Sequence, residues 1–180
     1  MIDLREGRLA ESSTEGLLRP VDVSLAPVSH ASREVEQQGG EELARRLGET
    51  GEIPVGGAIL TPAGPLAASF LIHVAVHAPD EPVSEAGIRL ALVNGLRRAV
   101  EWELETLSLP PLGTGAGNLE PERSARLMVE VLREHMETER HPRTVTIVVP
   151  GSYEFETFSR ELARSPEADR PDSSGEASAG

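Results

Sequence analysis

The stretch that decides the fold reads Leu107-Ser-Leu-Pro-Pro-Leu-Gly113-Thr-Gly-Ala-Gly117-Asn-Leu-Glu-Pro121. A short apolar run, typical of a strand end, is followed by three alternating glycines and then by a proline that suits the first turn of a helix. Glycines allow positive φ and leave backbone N–H groups uncovered, and the start of a helix adds partial positive charge. This order of strand, bare loop and helix predicts a corner that binds an anion, most often phosphate.

Two specific kinds of glycine loop are excluded by the residues present. A dinucleotide-binding fingerprint has glycine at the position of Asn118 and an acidic residue about twenty positions further on, at the end of the next strand. Here the next strand ends at Pro150-Gly151. A P-loop requires a lysine, and this chain contains none. A tight turn in which the glycines solve only a steric problem stays open as an alternative.

The composition limits the classes of function. A length of 180 residues suits one domain with a sizeable core and a tail. The formal net charge of −13 argues against nucleic-acid binding, which needs a clustered basic face. The chain has no cysteine, which excludes a disulfide framework and a thiolate zinc site, and we expect neither a metal nor a cofactor. Because no apolar run approaches the length of a membrane span or signal-peptide core, we expect a cytoplasmic protein that contacts no membrane.

Strand-like and helix-like segments alternate along the chain. Such alternation predicts an α/β fold, a three-layer α/β/α sandwich whose mixed sheet is mostly parallel and covered on both faces. We expect this domain to span 1–164 and an acidic disordered tail to span 165–180. Besides the run at Leu107, strands are predicted at 1–4, 16–25, 53–61, 69–77 and 144–149, and helices at 32–47, 84–104, 121–139 and 153–162.

Two details of these segments are informative. Pro20 is awkward in the middle of a central strand, because it has no N–H to donate to the ladder. Gly48 is expected to end the first long helix, for which Ser32 can serve as N-cap. In parallel sheets, ligands lie at the carboxyl ends of the strands, where the loop from Gly113 to Gly117 is expected together with the loop from Asp22 to Arg33.

The residues of these segments resemble those of the macrodomain family. The matching pieces are Pro110-Pro-Leu-Gly-Thr-Gly-Ala-Gly117 for the family's second phosphate loop, Phe70-Leu-Ile-His73 for an apolar strand ending in histidine, and Pro54-Val-Gly56 upstream. The resemblance covers roughly 2–164. It implies an α/β/α module that binds ADP-ribose, the anion being a diphosphate, and in some branches hydrolyses ADP-ribose derivatives. The implied ligand-binding residues are Leu9, Asp22, Ser29, Gly113, Thr114, Gly115, Ala116, Gly117 and Asn118.

The chain also departs from the family pattern. The family's adenine-binding aspartate falls on Arg8, its Asn-Ala-Ala-Asn strand end on Arg19-Pro-Val-Asp22, and the aspartate that is catalytic in the hydrolase branch on Ser32. Arginine only donates hydrogen bonds, so Arg8 cannot replace a carboxylate. We expect Arg8 to be a surface residue and adenine to be held by packing alone; the alternative is that Arg8 faces a base carbonyl or an extra phosphate, which would change the ligand. His73 matches a family histidine at a strand end, and we expect it to be structural.

Three functions follow from this pattern. The first is binding of ADP-ribose or a related nucleotide diphosphate by a divergent macrodomain. The second is hydrolysis of an ADP-ribosyl ester or ADP-ribose phosphate, with Asp22 and His30 as the catalytic residues that position water. The alternative for Asp22 is capping of nearby backbone. The third is a scaffold with a closed pocket that serves protein interaction.

Overall fold

The computed structural model describes residues 1–115 and 119–165. The predicted tail therefore lies outside the described residues except for Ser165. The strands are β1 (Ile2–Glu6), β2 (Gly16–Asp22), β3 (Ala58–Pro62), β4 (Phe70–His77), β5 (Thr106–Leu109) and β6 (Thr144–Val149). The helices are α1 (His30–Thr50), α2 (Glu85–Glu101), α3 (Pro121–Thr138) and α4 (Ser152–Ala163), and a short 3₁₀ helix spans Leu9–Glu11.

The six strands form one sheet in the order β1-β6-β5-β2-β4-β3. Every pairing is parallel except that of β3 with β4, at one edge. The mixed, mostly parallel sheet predicted from the alternation of segments is thereby confirmed. β2 lies near the centre, so the loop that follows it opens at the carboxyl edge beside the loop that follows β5.

The two faces of the sheet are covered by different helices. Leu17 and Leu71 point to the face that packs on Val35 and Leu43 of α1. The alternate residues of the same strands point to the opposite face, where α2 and α3 supply Leu92, Leu96, Met128 and Leu132 and α4 supplies Phe158. This period-two alternation produces the predicted α/β/α sandwich.

Three predicted details were wrong. α1 continues through Gly48 to Thr50 and ends before Gly51, whose φ is 80°, and it is kinked at Gly40, whose φ is 72°. β3 begins only at Ala58, because the chain before it turns at Gly56 and Gly57. Ser32 is not the N-cap of α1, as described below. No helix in the described part of the chain is long and apolar enough to cross a membrane.

Pro20 does lie inside β2. The β2–β5 ladder involves only Gly16 and Leu17, whereas the β2–β4 ladder continues to Asp22. Pro20 therefore lies beyond the part of β2 that pairs with β5. Because of this position, its missing N–H removes no hydrogen bond between β2 and β5.

Candidate functional site

A cavity of about 500 Å³ opens at the carboxyl edge of the sheet. It is formed by the segments that follow β1, β2, β5 and β6, together with the first turns of α1 and α3. Its lining consists of Gly7, Arg8, Leu9, Ser29, His30, Ala31, Glu34, Pro110, Pro111, Thr114, Gly115, Leu119, Pro121, Val148, Pro150 and Glu154. Its volume is that of a small-molecule site.

The loop after β5 contributes one side of this cavity and depends on its glycines. Gly113 has a φ of 82°, and a Cβ there would collide with Ile88. A Cβ on Gly115 would lie 2.7 Å from the backbone oxygen of Val28 in the opposite loop. Only glycine therefore allows the two loops to approach this closely. The predicted start of α3 is confirmed, with Pro121 in its first turn.

The loop after β2 contributes the opposite side. Ser29 is the N-cap of α1, and its Oγ accepts a hydrogen bond from Ser32 N at 3.2 Å. This corrects the expectation that Ser32 caps the helix. His30 is the first residue of α1, and its side chain is 82% exposed at the cavity, with Nε2 3.5 Å from Glu34 Oε1.

Arg8 is held at the cavity by two carboxylates. Its Nη1 donates to Glu11 Oε1 at 2.6 Å, while Nη2 and Nε donate to Glu34 Oε1 at 2.7 and 3.1 Å. The side chain of Arg8 is 53% exposed, as expected of a surface arginine, and its guanidinium is paired with both carboxylates. The side chain of Glu34 is only 16% exposed, and the hydrogen bond from Arg8 holds the pKa of this carboxyl below its usual value.

Asp22 does not line the cavity. Its Oδ1 accepts hydrogen bonds from Ser24 N at 2.8 Å, Ser24 Oγ at 2.7 Å and Ala26 N at 3.0 Å. These contacts organise the turn that leaves β2, as an Asx-type cap does. The structure therefore does not bring Asp22 and the cavity together, and the predicted role of Asp22 in ligand contact or catalysis gains no support from its placement.

A buried arginine lies behind the cavity wall. Arg19 has no exposed surface, and its Nη1 donates to Glu36 Oε2 at 2.8 Å and to Ser32 O at 3.2 Å. Its Nη2 donates to Leu25 O at 3.2 Å and its Nε to His73 Nδ1 at 2.8 Å. Burial lowers the pKa of Arg19, and Glu36 opposes that effect. Arg19 thus holds both ends of the loop that carries Ser29 and His30.

The predicted site residues fall into three groups. Leu9, Ser29, His30, Thr114 and Gly115 line the cavity. Gly113 is buried in the loop that supports it, and Asp22 lies elsewhere. The predicted contacts of Ala116, Gly117 and Asn118 lie outside the described residues.

The sequence reasoning missed Glu34. Glu34 lies four positions after His30 on α1, and helical spacing places the two side chains on one face. That spacing was the signal in the sequence from which Glu34 could have been identified. Glu154 was missed as well, because it lies at the start of α4, far along the chain from both predicted loops.

A mostly parallel sheet lies between two helical layers, and a cavity opens at the carboxyl ends of its strands. This architecture is that of an α/β/α domain with a ligand-binding cleft.

The Macro domain family matches residues 20–128, and the chain belongs to that family. An uncharacterized protein of Aquifex aeolicus is 32% identical over 133 residues, which cover 73% of this chain and 81% of that protein. A macro domain-containing protein of Caldanaerobacter subterraneus is 24% identical over 170 residues, covering 88% and 94%.

Solved structures share the fold at low sequence identity. The Oceanobacillus iheyensis macrodomain, as a mutant with ADPR, matches with a TM-score of 0.80 and 17% identity over 88% of this chain and 90% of that one. The Trypanosoma brucei macrodomain in complex with ADP-ribose matches with a TM-score of 0.81 and 15% identity over 88% and 68%. These similarities confirm the macrodomain fold.

Proposed function

We propose that this protein binds ADP-ribose, or a closely related nucleotide diphosphate, in the cavity at the carboxyl edge of its sheet. The observation that carries the proposal is the open volume of about 500 Å³ directly beside Thr114 and Gly115. Structural neighbours described with ADP-ribose support the choice of ligand. An open cavity also favours binding over the alternative of a closed scaffold that serves only protein interaction.

The diphosphate is assigned to the loop from Gly113 to Gly117. Backbone N–H groups without covering side chains can hold an anion even in a chain of net charge −13, because the amides themselves supply local positive potential. Ser29, at the capped start of α1, faces the same cavity from the other loop. The phosphates therefore lie between the two loops.

Binding without hydrolysis is the function we favour. The hydrolase hypothesis required Asp22 and His30 to position water together, yet Asp22 Oδ1 already accepts three hydrogen bonds in its own turn. His30 alone lines the cavity. Because Asp22 does not line the cavity, it cannot position water there together with His30.

Isothermal titration calorimetry with Gly115→Val tests the location of the ligand. The added side chain has no room against Val28 O and must displace one of the two loops, so we expect ADP-ribose affinity to fall at least tenfold, which is about 1.4 kcal/mol. Gly48→Ala is the control, since a Cβ at Gly48 meets nothing within 4 Å. Unchanged affinity in Gly115→Val, or no binding by the parent protein, overturns the proposal.

A further inference from the structure

The phosphate-binding corner lies at one end of the cavity and not in its middle. In the sheet order β1-β6-β5-β2-β4-β3, the loops that contain Gly115 and Ser29 follow β5 and β2. From there the lining continues to the segments that follow β6 and β1, where Pro150 and Gly7 lie. None of residues 78–84, which follow β4, lines the cavity. The cavity therefore extends from the corner in one direction only.

A contact between the two loops closes that end of the cavity. A Cβ on Gly115 would lie 2.7 Å from Val28 O and 3.3 Å from Ser29 Cβ. The side chain of Val28 packs against the hydrophobic cluster that contains Leu109, the last residue of β5, and Leu112. Val28 thus fills the space between the loops through which the cavity would otherwise continue toward β4.

The start of the loop after β2 is closed by its own hydrogen bonds. Val23 N donates to His77 O, at the end of β4, across 2.9 Å. Asp22 Oδ1 accepts from Ser24 N and Ala26 N, at 2.8 and 3.0 Å. This part of the loop is therefore tied to β4 and to its own turn, and it adds no lining residue to the cavity.

This boundary limits which part of the ligand the protein can enclose. ADP-ribose has adenosine on one side of its diphosphate and a ribose on the other. A cavity that extends in one direction from its phosphate corner encloses only one of these two groups. Adenosine is the larger group and has the ring surface whose burial stabilises binding, so we assign it to the enclosed side. The terminal ribose then lies beyond the contact of Val28 with Gly115.

We propose that the site recognises the adenosine diphosphate half of its ligand, and that Val28 excludes the terminal ribose from the cavity. This inference rests on the proposed binding of ADP-ribose and names the part of that ligand which determines affinity. The site then accepts any molecule that exposes this half, including ADP-ribose attached through its terminal ribose to a larger molecule.

Three ligands that share the adenosine diphosphate half test this boundary by calorimetry. They are ADP-ribose, the β-methyl ester of ADP, and a neutral peptide that carries ADP-ribose on a serine. The methyl ester keeps both negative charges of the diphosphate and lacks the terminal ribose, whereas the peptide attaches that ribose to a larger group. We expect the three dissociation constants of the parent protein to agree within about threefold, because the groups that differ lie outside the cavity.

The variant Val28→Gly tests whether this residue forms the boundary. Removing its side chain opens the space between the loops, so the terminal ribose gains room to enter and to form hydrogen bonds. We expect the dissociation constant of the methyl ester, divided by that of ADP-ribose, to rise at least about threefold above the parent ratio. Ala26→Gly is the matched control, because it loosens the same loop and leaves Val28 in place. Its ratio should equal that of the parent.

The outcomes separate this inference from the proposed function. No binding of any of the three ligands by the parent protein overturns the proposed function, and this inference with it. Binding in which two of the ligands differ by more than about threefold overturns the exclusion of the terminal ribose and leaves ADP-ribose binding intact. An unchanged ratio in Val28→Gly, or an equal rise in Ala26→Gly, also overturns it, because Val28 would then not be the boundary.

Discussion

Arg19 Nε donates a hydrogen bond to His73 Nδ1 across 2.8 Å, with both side chains fully buried between β2 and β4. Arginine has only donors, so Nδ1 must be an acceptor and the proton of neutral His73 resides on Nε2. Nε2 then donates to Thr61 Oγ1 at 2.8 Å. One polar chain therefore links β2, β4 and β3 within the face that supports the cavity loop.

Replacement of Arg19 should be strongly destabilising. Arg19→Met removes the charge and leaves Glu36, His73 and two buried carbonyls without their donor. Glu36 keeps 30% of its side chain exposed, so the main cost comes from His73 Nδ1 and the two carbonyls, each of which costs about 1–3 kcal/mol when left buried without a donor. We therefore expect a loss of about 3 kcal/mol or more of unfolding free energy. Urea denaturation measures this loss. Arg33→Met, a substitution at an exposed position of α1, is the control, and its unfolding free energy should stay within about 0.5 kcal/mol of that of the parent protein. A loss of less than about 1 kcal/mol in Arg19→Met would contradict this role of Arg19.

His73 should make stability depend on pH. Burial, and secondarily the charge of Arg19, hold the pKa of His73 well below 6.5. As pH falls through about 6.5, the unfolded chain binds a proton at this position while the native state does not, so the native state loses stability by up to about 1.4 kcal/mol per pH unit.

Denaturation curves between pH 7 and pH 5 check this dependence. In His73→Gln the side chain is neutral throughout, so the curve of unfolding free energy against pH should be flatter than that of the parent. Equal slopes in the parent and His73→Gln would show that His73 is not held neutral.

Two glycines of α1 should respond oppositely to alanine. Gly40 has φ 72° and ψ −167°, a conformation restricted almost entirely to glycine, so Gly40→Ala should cost about 1–3 kcal/mol. Gly48 lies within the helix with free space around it, so Gly48→Ala should stabilise by about 0.5–1 kcal/mol. Neither site has a neighbour within 4 Å of the added Cβ, so thermal or urea unfolding reports backbone preference alone. Equal changes in unfolding free energy in the two variants would contradict the non-helical conformation of Gly40.

The two serine N-caps offer a test that separates stability from binding. Ser29 Oγ accepts from Ser32 N at 3.2 Å, and Ser84 Oγ accepts from Gly87 N at 3.0 Å. Replacing either serine with alanine should cost about 0.5–2 kcal/mol of unfolding free energy. Only Ser29 lines the cavity, so only Ser29→Ala should also weaken ADP-ribose binding in calorimetry. Equal affinities for ADP-ribose in the two variants would show that Ser29 does not contact the ligand.

The sequence predicted what depends on local pattern. The alternating segments predicted the sandwich, and the glycines at 113 and 115 predicted a bare loop beside Pro121, because φ preference and steric space are properties of single residues. The kink at Gly40 was not predicted, since glycine in a helix usually keeps helical angles.

Long-range pairing explains what the sequence did not reveal. Arg19 was interpreted only as a departure from the family pattern, because its partners come from α1, β4 and the turn after β2. Asp22 was interpreted as a ligand contact, although its bonds to Ser24 and Ala26 are local and were available as the capping alternative. Arg8 is exposed as expected, but its ion pair with Glu34 was not predicted, because the two residues lie 26 positions apart in the chain.

The central claim is tested most directly by titrating ADP-ribose into ¹⁵N-labelled protein and following backbone amide shifts. The account predicts saturable changes centred on Thr114, Gly115, Ser29 and His30, the residues of the two loops that face each other across the cavity. Absence of saturable changes at these amides, or changes confined to the groove between α2 and α3 near Arg89 and Arg123, would contradict it.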